Sequence, residues 1–439
     1  MTGEPMEVRD ASAGYALQAD RPAVPEGYKQ TEVGVIPEDW LVLTLADLNP
    51  FVTSGSRGWA PYYTKFGDLF VRITNMSRGS VRLDLTDSRF VSIPEVSQEG
   101  ERTSLKSGDV LVSITADIGI ISYVDESVPL PAYINQHIAL VRLPSEAVSS
   151  KFVALFLAFG PGQKRFRAIT DQGAKAGINL KTVREVPLTL PPLDEQRAIA
   201  AALTDVDALL ESLDRLIVKK RHIKQATMQQ LLTGETRLPG FEGEWERLAL
   251  GDIVTFLSGG TPPRSNENYW DGDIPWISAT SLRTLFIWRS DSNVTKEAVA
   301  VGSKMAPIGS TLLLVRGSAL HNEILAGLVT KPVCFNQDVK ALVPHSRICG
   351  QFLTFVLHGR AEDLLKLVST AGNTAGVLDT RLLKAFEIQL PSLEEQAAIA
   401  TVLSDIDAEI QTLGQHRTKT AALKQAMMQE LLTGRTRLV

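Results

Sequence analysis

The sequence predicts an α/β (α+β) protein in which two globular domains are separated by two long antiparallel coiled-coil helices, the halves being related by a pseudo-twofold internal repeat. Three observations carry this prediction. A segment of about fifty residues occurs twice, each copy bears an apolar heptad seam, and each copy is preceded by short β-rich runs broken by turns.

The duplicated segment comes first because it organises the rest. Its first copy runs from Leu190-Pro191-Pro192-Leu193-Asp194-Glu195-Gln196 to Leu231-Leu232-Thr233-Gly234-Glu235-Thr236-Arg237-Leu238. The second runs from Leu390-Pro391-Ser392-Leu393-Glu394-Glu395-Gln396 to Leu431-Leu432-Thr433-Gly434-Arg435-Thr436-Arg437-Leu438, with an offset of 390 − 190 = 200 and no gap. Ile199, Leu203, Val206, Leu210, Leu213 and Ile217 alternate spacings of four and three, as do Ile399, Leu403, Ile406, Ile410 and Leu413. That is a coiled-coil seam. Prolines suit the first turn of each helix, Ser392 and Glu395 have capping-box spacing, and Gly234 and Gly434 stand where helices stop. About forty residues at ~1.5 Å each give a helix of roughly 60 Å. One apolar stripe on so long a helix needs a partner, and the other copy is the obvious one. Past Ile217 the seam turns polar at Lys220, Lys224 and Thr420, so the far ends are expected to pair less tightly or to serve another chain. A coiled coil that only staples two domains together has the same spacing.

The domains divide accordingly. Residues 1–27 form an acidic, proline-punctuated tail expected to be disordered, 28–190 a first domain, 191–239 the first long helix, 240–390 a second domain and 391–439 the second long helix. Both domains open alike, since Trp40 leading into Leu43, Leu45 and Leu48 matches Trp245 leading into Leu248, Leu250 and Ile253. Strands are predicted at 68–73, 110–114 and 137–143 in the first domain and at 274–277, 311–315 and 339–343 in the second, with helices over 151–159 and 351–358. Most loops differ between the domains. Two similar frames with unlike loops suit two different readers held at a fixed distance.

Composition bounds the rest. At 439 residues the chain can bury two or three cores, and its net charge of −5 neither demands nor forbids a nucleic-acid partner. No apolar run approaches the ~18 residues of a membrane span, so no membrane partner is expected. Cys334 and Cys349 show neither a CxxC nor metal-ligand spacing, which argues against a disulfide framework and a zinc site and for a cytoplasmic protein.

The run Pro-Pro-Leu-Asp-Glu-Gln, then Ala-Ile-Ala, an Asp-x-Asp at Asp205/Asp207 and Asp405/Asp407, and a closing Gln-Leu-Leu-Thr-Gly resembles the repeated region of the specificity (S) subunit of type I restriction-modification systems. The resemblance covers the chain beyond about residue 27. It implies that the two domains are target-recognition domains, each reading one half of a bipartite site in double-stranded DNA, with the helix pair setting the gap. It also implies two modification (M) subunits docked on the repeated helices, restriction (R) subunits recruited through them, and no cofactor in this chain: S-adenosylmethionine, ATP and Mg would belong to the partner subunits. Extrusion of the target adenine would fall to the M subunits.

Catalytic motifs are missing from the sequence. It has no phosphate-binding Gly-x-x-x-x-Gly-Lys and no Asn-Pro-Pro-Tyr-like methyltransferase loop, and Gly160 to Arg165 fails the dinucleotide fingerprint at its third glycine. The carboxylates of 205–214 lie on the long helix, where a solvated or subunit-facing surface is expected. DNA-reading candidates therefore come from polar, basic loops, because Arg matches guanine O6/N7 and Asn or Gln matches adenine N6/N7. In the first domain they are Arg57, Arg72, Asn75, Arg78 and Arg82, with Lys164, Arg165, Arg167 and Lys175 as phosphate contacts that fix register. In the second they are Arg264, Ser278, Thr280, Ser281, Arg283, Arg316, His321 and Asn322. A two-headed protein-binding scaffold without DNA recognition is the alternative, slightly favoured by the acidic net charge. The recognition part of a single-chain restriction enzyme is a third reading, which the missing catalytic motifs disfavour.

Overall fold

A computed structural model of the chain describes residues 24–55, 57–93, 98–144, 146–171, 177–369 and 375–438. Residues 1–23 of the expected tail, and Lys175, lie outside these. The chain forms two compact units, one of Met1–Leu210 with Lys419–Val439 and one of Glu211–Thr418. The division therefore cuts through the long helices, and each unit holds the start of one and the end of the other. Among the described residues no helix is long and apolar enough to cross a membrane.

In the first unit an antiparallel sheet runs in the order Phe51–Ser54, Ile138–Arg142, Val110–Ser113, Ile121–Tyr123. A second sheet pairs Ala132–Ile134 parallel to Asp68–Val71, then adds Arg89–Val91 and Tyr63–Thr64 antiparallel. The predicted strand over 68–73 ends at Val71, because Ile73–Asn75 turns as a 3₁₀ helix. Sequence reading missed the hairpin Tyr28–Thr31/Gly34–Pro37 and the pair Leu41–Thr44/Pro187–Leu190, whose strands have only four residues each. In the second unit a five-stranded sheet runs Val254–Ser258, Val339–Pro344, Thr311–Leu314, Ala326–Val329, Phe286–Ile287. Beside it lies a sheet of Asn293–Val294, Trp270–Ile277, Val333–Phe335 and Lys304–Ala306. Each unit closes its main sheet with an apolar helix, Ser150–Phe159 or Gly350–Gly359.

The long helices are rooted in these cores. They run over Leu193–Leu232 and Leu393–Leu431. In the first unit Ile199, Leu203, Leu431 and Leu432 join the cluster around Phe152 and Phe156; in the second Met228, Leu231, Ile399 and Leu403 join that around Phe352 and Phe355. Farther along, the seam is only partly covered: Ile217 is buried, while Val206, Leu210, Leu213, Ile406, Ile410 and Leu413 are half-buried. Charged pairs take over there. Lys424 meets Asp207 at 2.6 Å in the first unit. In the second, Lys224 meets Asp407 at 2.6 Å, Lys220 meets Glu409 at 2.7 Å and Arg417 meets Asp214 at 2.9 Å. In every pair the numbers rise on one helix as they fall on the other, so the helices pair antiparallel. Two expectations change accordingly. Lys220 and Lys224 are engaged by the opposite helix rather than left for another chain, and in 205–214 Asp207 and Asp214 bind across the pair, while Asp205 remains exposed.

The helix ends show why the repeated motifs have their residues. Glu195, 2% exposed, accepts hydrogen bonds from Trp40 Nε1 at 3.2 Å, from Arg437 Nε at 2.7 Å and from Arg437 Nη2 at 2.8 Å. Glu395 does the same with Trp245 Nε1 at 3.2 Å and with Arg237 Nε and Nη2 at 2.6 and 2.7 Å. The first turn of one helix is thus bolted to the residues just past the end of the other and to the tryptophan that opens the domain. The Ser392–Glu395 capping box forms only by half: Ser392 Oγ accepts from Glu395 N at 3.3 Å, but the Glu395 carboxylate is taken by Arg237 and Trp245. Gln196 and Gln396 each fix the neighbouring apolar helix, accepting from Ser149 N at 2.9 Å and Cys349 N at 2.8 Å. Gly434 has φ +71°, and a Cβ there would stand 2.5 Å from Pro37 Cδ.

Removing Glu195 would leave Trp40 Nε1 buried without an acceptor and Arg437 with Asp39 alone. Glu195→Ala is expected to destabilise the first unit by about 3 kcal/mol, and Gly434→Ala to destabilise it as well. Urea unfolding with segment-resolved hydrogen exchange checks both. The Arg437 guanidinium holds the Asp39 carboxyl below its ordinary range. Its contribution is therefore present above the unfolded value of ~3.9 and fades as pH falls through the folded one.

Candidate nucleic-acid interface

Both units build the loop after the first strand of the main sheet on the same backbone device. After the first strand of the main sheet the chain passes a glycine pressed against the segment that leads into the central strand. A Cβ on Gly55 would lie 2.3 Å from the Asn135 carbonyl, and one on Gly259 2.1 Å from the Phe335 carbonyl oxygen. Asn135 Oδ1 then accepts from His137 N and Asn336 Oδ1 from Asp338 N, both at 3.1 Å. The frame is shared down to these turns, and the loops that leave it differ.

In the first unit the candidates separate into two groups. Arg57 is exposed on the loop after Phe51–Ser54. Lys164, Arg165 and Arg167 are exposed along the helix Pro161–Asp171. Asn75 is not a reader: it is 1% exposed, its Oδ1 accepts from Arg72 N at 2.9 Å and its Nδ2 donates to the Asp84 carbonyl at 2.8 Å. Arg72 is a frame residue as well, since its Nη2 donates to the Asp87 carboxylate at 3.0 Å and carbonyl at 2.8 Å while its Nε is buried. Both were expected to face DNA, but the turn after Val71 folds them under the loop 84–87. Arg78 binds Asp117 and donates to the Ile118 carbonyl at 2.9 Å, and Arg82 lies 3.6 Å from Asp125; both remain partly exposed. Arg78 shares a cleft of about 630 Å³ with Lys164, Arg167 and Lys424. Lys175 lies outside the described residues.

In the second unit Arg264 lies over two indoles, 4.8 Å from the Trp270 ring centre and 5.5 Å from that of Trp276, which fixes an otherwise exposed guanidinium. Ser278 and Thr280 hydroxyls meet at 2.9 Å. Ser281 bonds Ser290 at 2.8 Å, and Ser290 donates to the Trp276 carbonyl at 2.7 Å, so Ser281 braces its loop. Arg283 pairs with Glu323 at 2.9 Å. Arg316 is exposed on Arg316–Gly317, and no ion pair holds it among the described residues. His321 and Asn322 are exposed at the end of the 3₁₀ turn Ser318–His321.

Aromatic–basic surfaces went unread in the sequence. Tyr62, Tyr63 and Phe66 are exposed beside Lys65 and Arg89 in the first unit. Trp288 is exposed in the second, with Arg289 4.9 Å and Lys331 5.4 Å from its ring centre. The sequence signal was the clustering of Tyr62, Tyr63, Lys65 and Phe66 within five residues. Among the described residues no group of three or more His, Cys, Asp or Glu side chains is gathered as a metal ion would need.

The type I restriction modification DNA specificity domain matches the chain twice, over residues 66–219 and 242–422. The chain belongs to that family. Each match takes in most of one recognition frame and most of the long helix that follows it. Among relatives, the EcoR124I/EcoR124II type I restriction enzyme specificity subunit of Escherichia coli is 33% identical over 168 residues, 38% of this chain and 42% of that one. The putative MjaX specificity subunit of Methanocaldococcus jannaschii is 23% identical over 94% of this chain and 97% of its own length. The S subunit of a type I system from M. genitalium has a solved structure with 17% identity and a TM-score of 0.56, covering 89% of this chain and 96% of that one. That likeness concerns the fold.

These placements predict a split among the arginines. Arg316→Ala should weaken binding to the target duplex by about 1–3 kcal/mol and relax specificity at one base position, with the salt slope and thermal stability unchanged. Arg72→Ala should cost stability instead, about 1 kcal/mol, because it removes the hydrogen bond to the Asp87 carbonyl and the packing of a largely buried side chain. Filter binding across a salt series and thermal melts of the two variants distinguish the roles.

Proposed function

We propose that this chain is the DNA-specificity subunit of a type I restriction-modification complex. The observation that carries the reading is the duplicated specificity domain: one backbone frame occurs twice, with different polar and basic loops at the same edge. Each recognition domain reads one part of a bipartite target in double-stranded DNA, and the antiparallel helix pair sets the spacing. Exposed Arg57 and Arg316 supply base-reading groups, whereas Lys164, Arg165 and Arg167 supply phosphate contacts.

The chain does no chemistry itself in this reading. The repeated helices present two equivalent faces, which suits two copies of one partner, the modification subunit. Restriction subunits join through these. S-adenosylmethionine, ATP and Mg serve those partners, and the assembly works in the cytoplasm, where the chromosomal DNA lies. A protein-binding scaffold without DNA recognition is not favoured, because the family matched is one of DNA specificity domains.

Single-molecule methylation sequencing of DNA from cells carrying the adjoining modification gene, with and without this chain, tests the reading. A gapped two-part motif with methyladenine should appear only when the chain is present. Expressed, assembled modification subunits that give the same methylation without it would refute the function.

A further inference from the structure

Phe66 has the highest exposure of any large apolar side chain among the described residues, at 85%. It stands at the tip of a three-residue loop, 65–67, whose backbone is held on all sides. Tyr63–Thr64 pairs with one edge of Arg89–Val91 and Asp68–Val71 with the other. Thr64 Oγ1 donates to the Phe66 carbonyl at 2.6 Å. Gly67 has φ +146°, and a Cβ there would meet the Val91 carbonyl oxygen at 2.5 Å. The base beneath is packed aromatic: Trp59 lies 4.9 Å from Phe70 and 6.2 Å from Tyr62, and Tyr63 stands edge-on to Phe70 at 5.5 Å. A phenyl ring is thus carried into solvent on a rigid mount.

The charge around the mount is net positive, with Lys65, Arg72 and Arg89 set against Asp68 and Asp87. Lys65 and Arg89 flank the loop with no ion pair among the described residues, and they line a recess of about 480 Å³ with Tyr63, Thr64 and Arg72. Arg72 is neutralised by Asp87. An exposed ring between unpaired cations fits a partner that combines stacked aromatic faces with regularly spaced anions, which is a nucleic-acid duplex. A protein partner would need carboxylates placed on both flanks of an apolar pocket, whereas a duplex carries anions along its whole length. Trp288 in the second unit differs, because Arg289 and Lys331 lie against its ring and leave it less open for stacking.

We propose that Phe66 is a stacking wedge that enters the base stack of the half-site read by the first unit, with Lys65 and Arg89 holding the flanking phosphates. The inference rests on the DNA-reading function above and adds a contact that senses how easily a base step opens. Specificity at that step then comes from deformability rather than from hydrogen bonds to base edges.

The test uses the full chain and a duplex carrying the motif found by methylation sequencing, with 2-aminopurine placed in turn at each position of the first half-site. Wild-type protein should raise the fluorescence at one step. Phe66→Ala should abolish that rise and weaken binding about tenfold, the usual worth of one stacked base. Phe66→Trp should keep both, and the melting temperature of each variant should match wild type because the ring touches little of the protein. If wild-type protein binds the duplex with no rise at any position, or Phe66→Ala binds and reports like wild type, the wedge is wrong while DNA reading stands. Failure of wild-type protein to prefer this duplex over an unrelated one would overturn both.

Discussion

The buried carboxylate at the first turn of each long helix is the constraint on which the rest depends. Glu195 is shielded from water and must be matched, and Arg437 and Trp40 match it; Arg237 and Trp245 match Glu395. Each match joins three parts of the chain that are remote in sequence: the opening of a domain, the start of one helix and the segment past the end of the other. A buried charge tolerates little slippage, because a shift of one helical turn would leave it unpaired in a low-dielectric site. The bolts therefore fix where each helix begins against its domain and where the other ends.

Between the bolts the helix pair is held differently. Its apolar seam is well buried near the domain cores and at Ile217, and elsewhere the register passes to Lys424–Asp207 and Lys224–Asp407. Polar groups inside a seam add little net stability but select one alignment, since every alternative strands them. The two pairs follow the 200-residue repeat. Lys220–Glu409 and Arg417–Asp214 do not, because Thr420 and Leu209 stand at the positions matching the first, and Ile217 and Gly414 at those matching the second. The helices are near copies in framework yet complementary in charge, which favours pairing of unlike copies over like.

Much of this was legible in the sequence. Period, repeat and helix stops predicted the two long helices, because a forty-residue amphipathic pattern has few other solutions. Trp40 and Trp245 could be matched by position, but their purpose as donors to Glu195 and Glu395 could not, since it joins residues 155 and 150 apart. The short strands were lost for a physical reason: two to four residues contain too little alternation to show a period, and their pairing is decided by the sheet around them. Among candidate readers, Arg and Asn were chosen by chemistry alone, and burial then divided them. Arg72 and Asn75 look like base readers by type, but a 3₁₀ turn places them under their own loop, while Arg57 and Arg316 remain free to reach outward. Phe66 escaped notice because the cluster of Tyr62, Tyr63, Lys65 and Phe66 has no period to set it apart from a strand or core segment, and its exposure is what shows the ring to be out of place.

In the proposed function, two independent readers are mounted on one duplicated frame. Replacing residues 28–190 by the first recognition domain of a different family member, then determining the methylated motif in cells with the modification subunit, tests this most directly. The account predicts a motif in which one half and only that half is exchanged, with the adenine still methylated on both sides and the gap unchanged. A motif altered in both halves, or in neither, would contradict it.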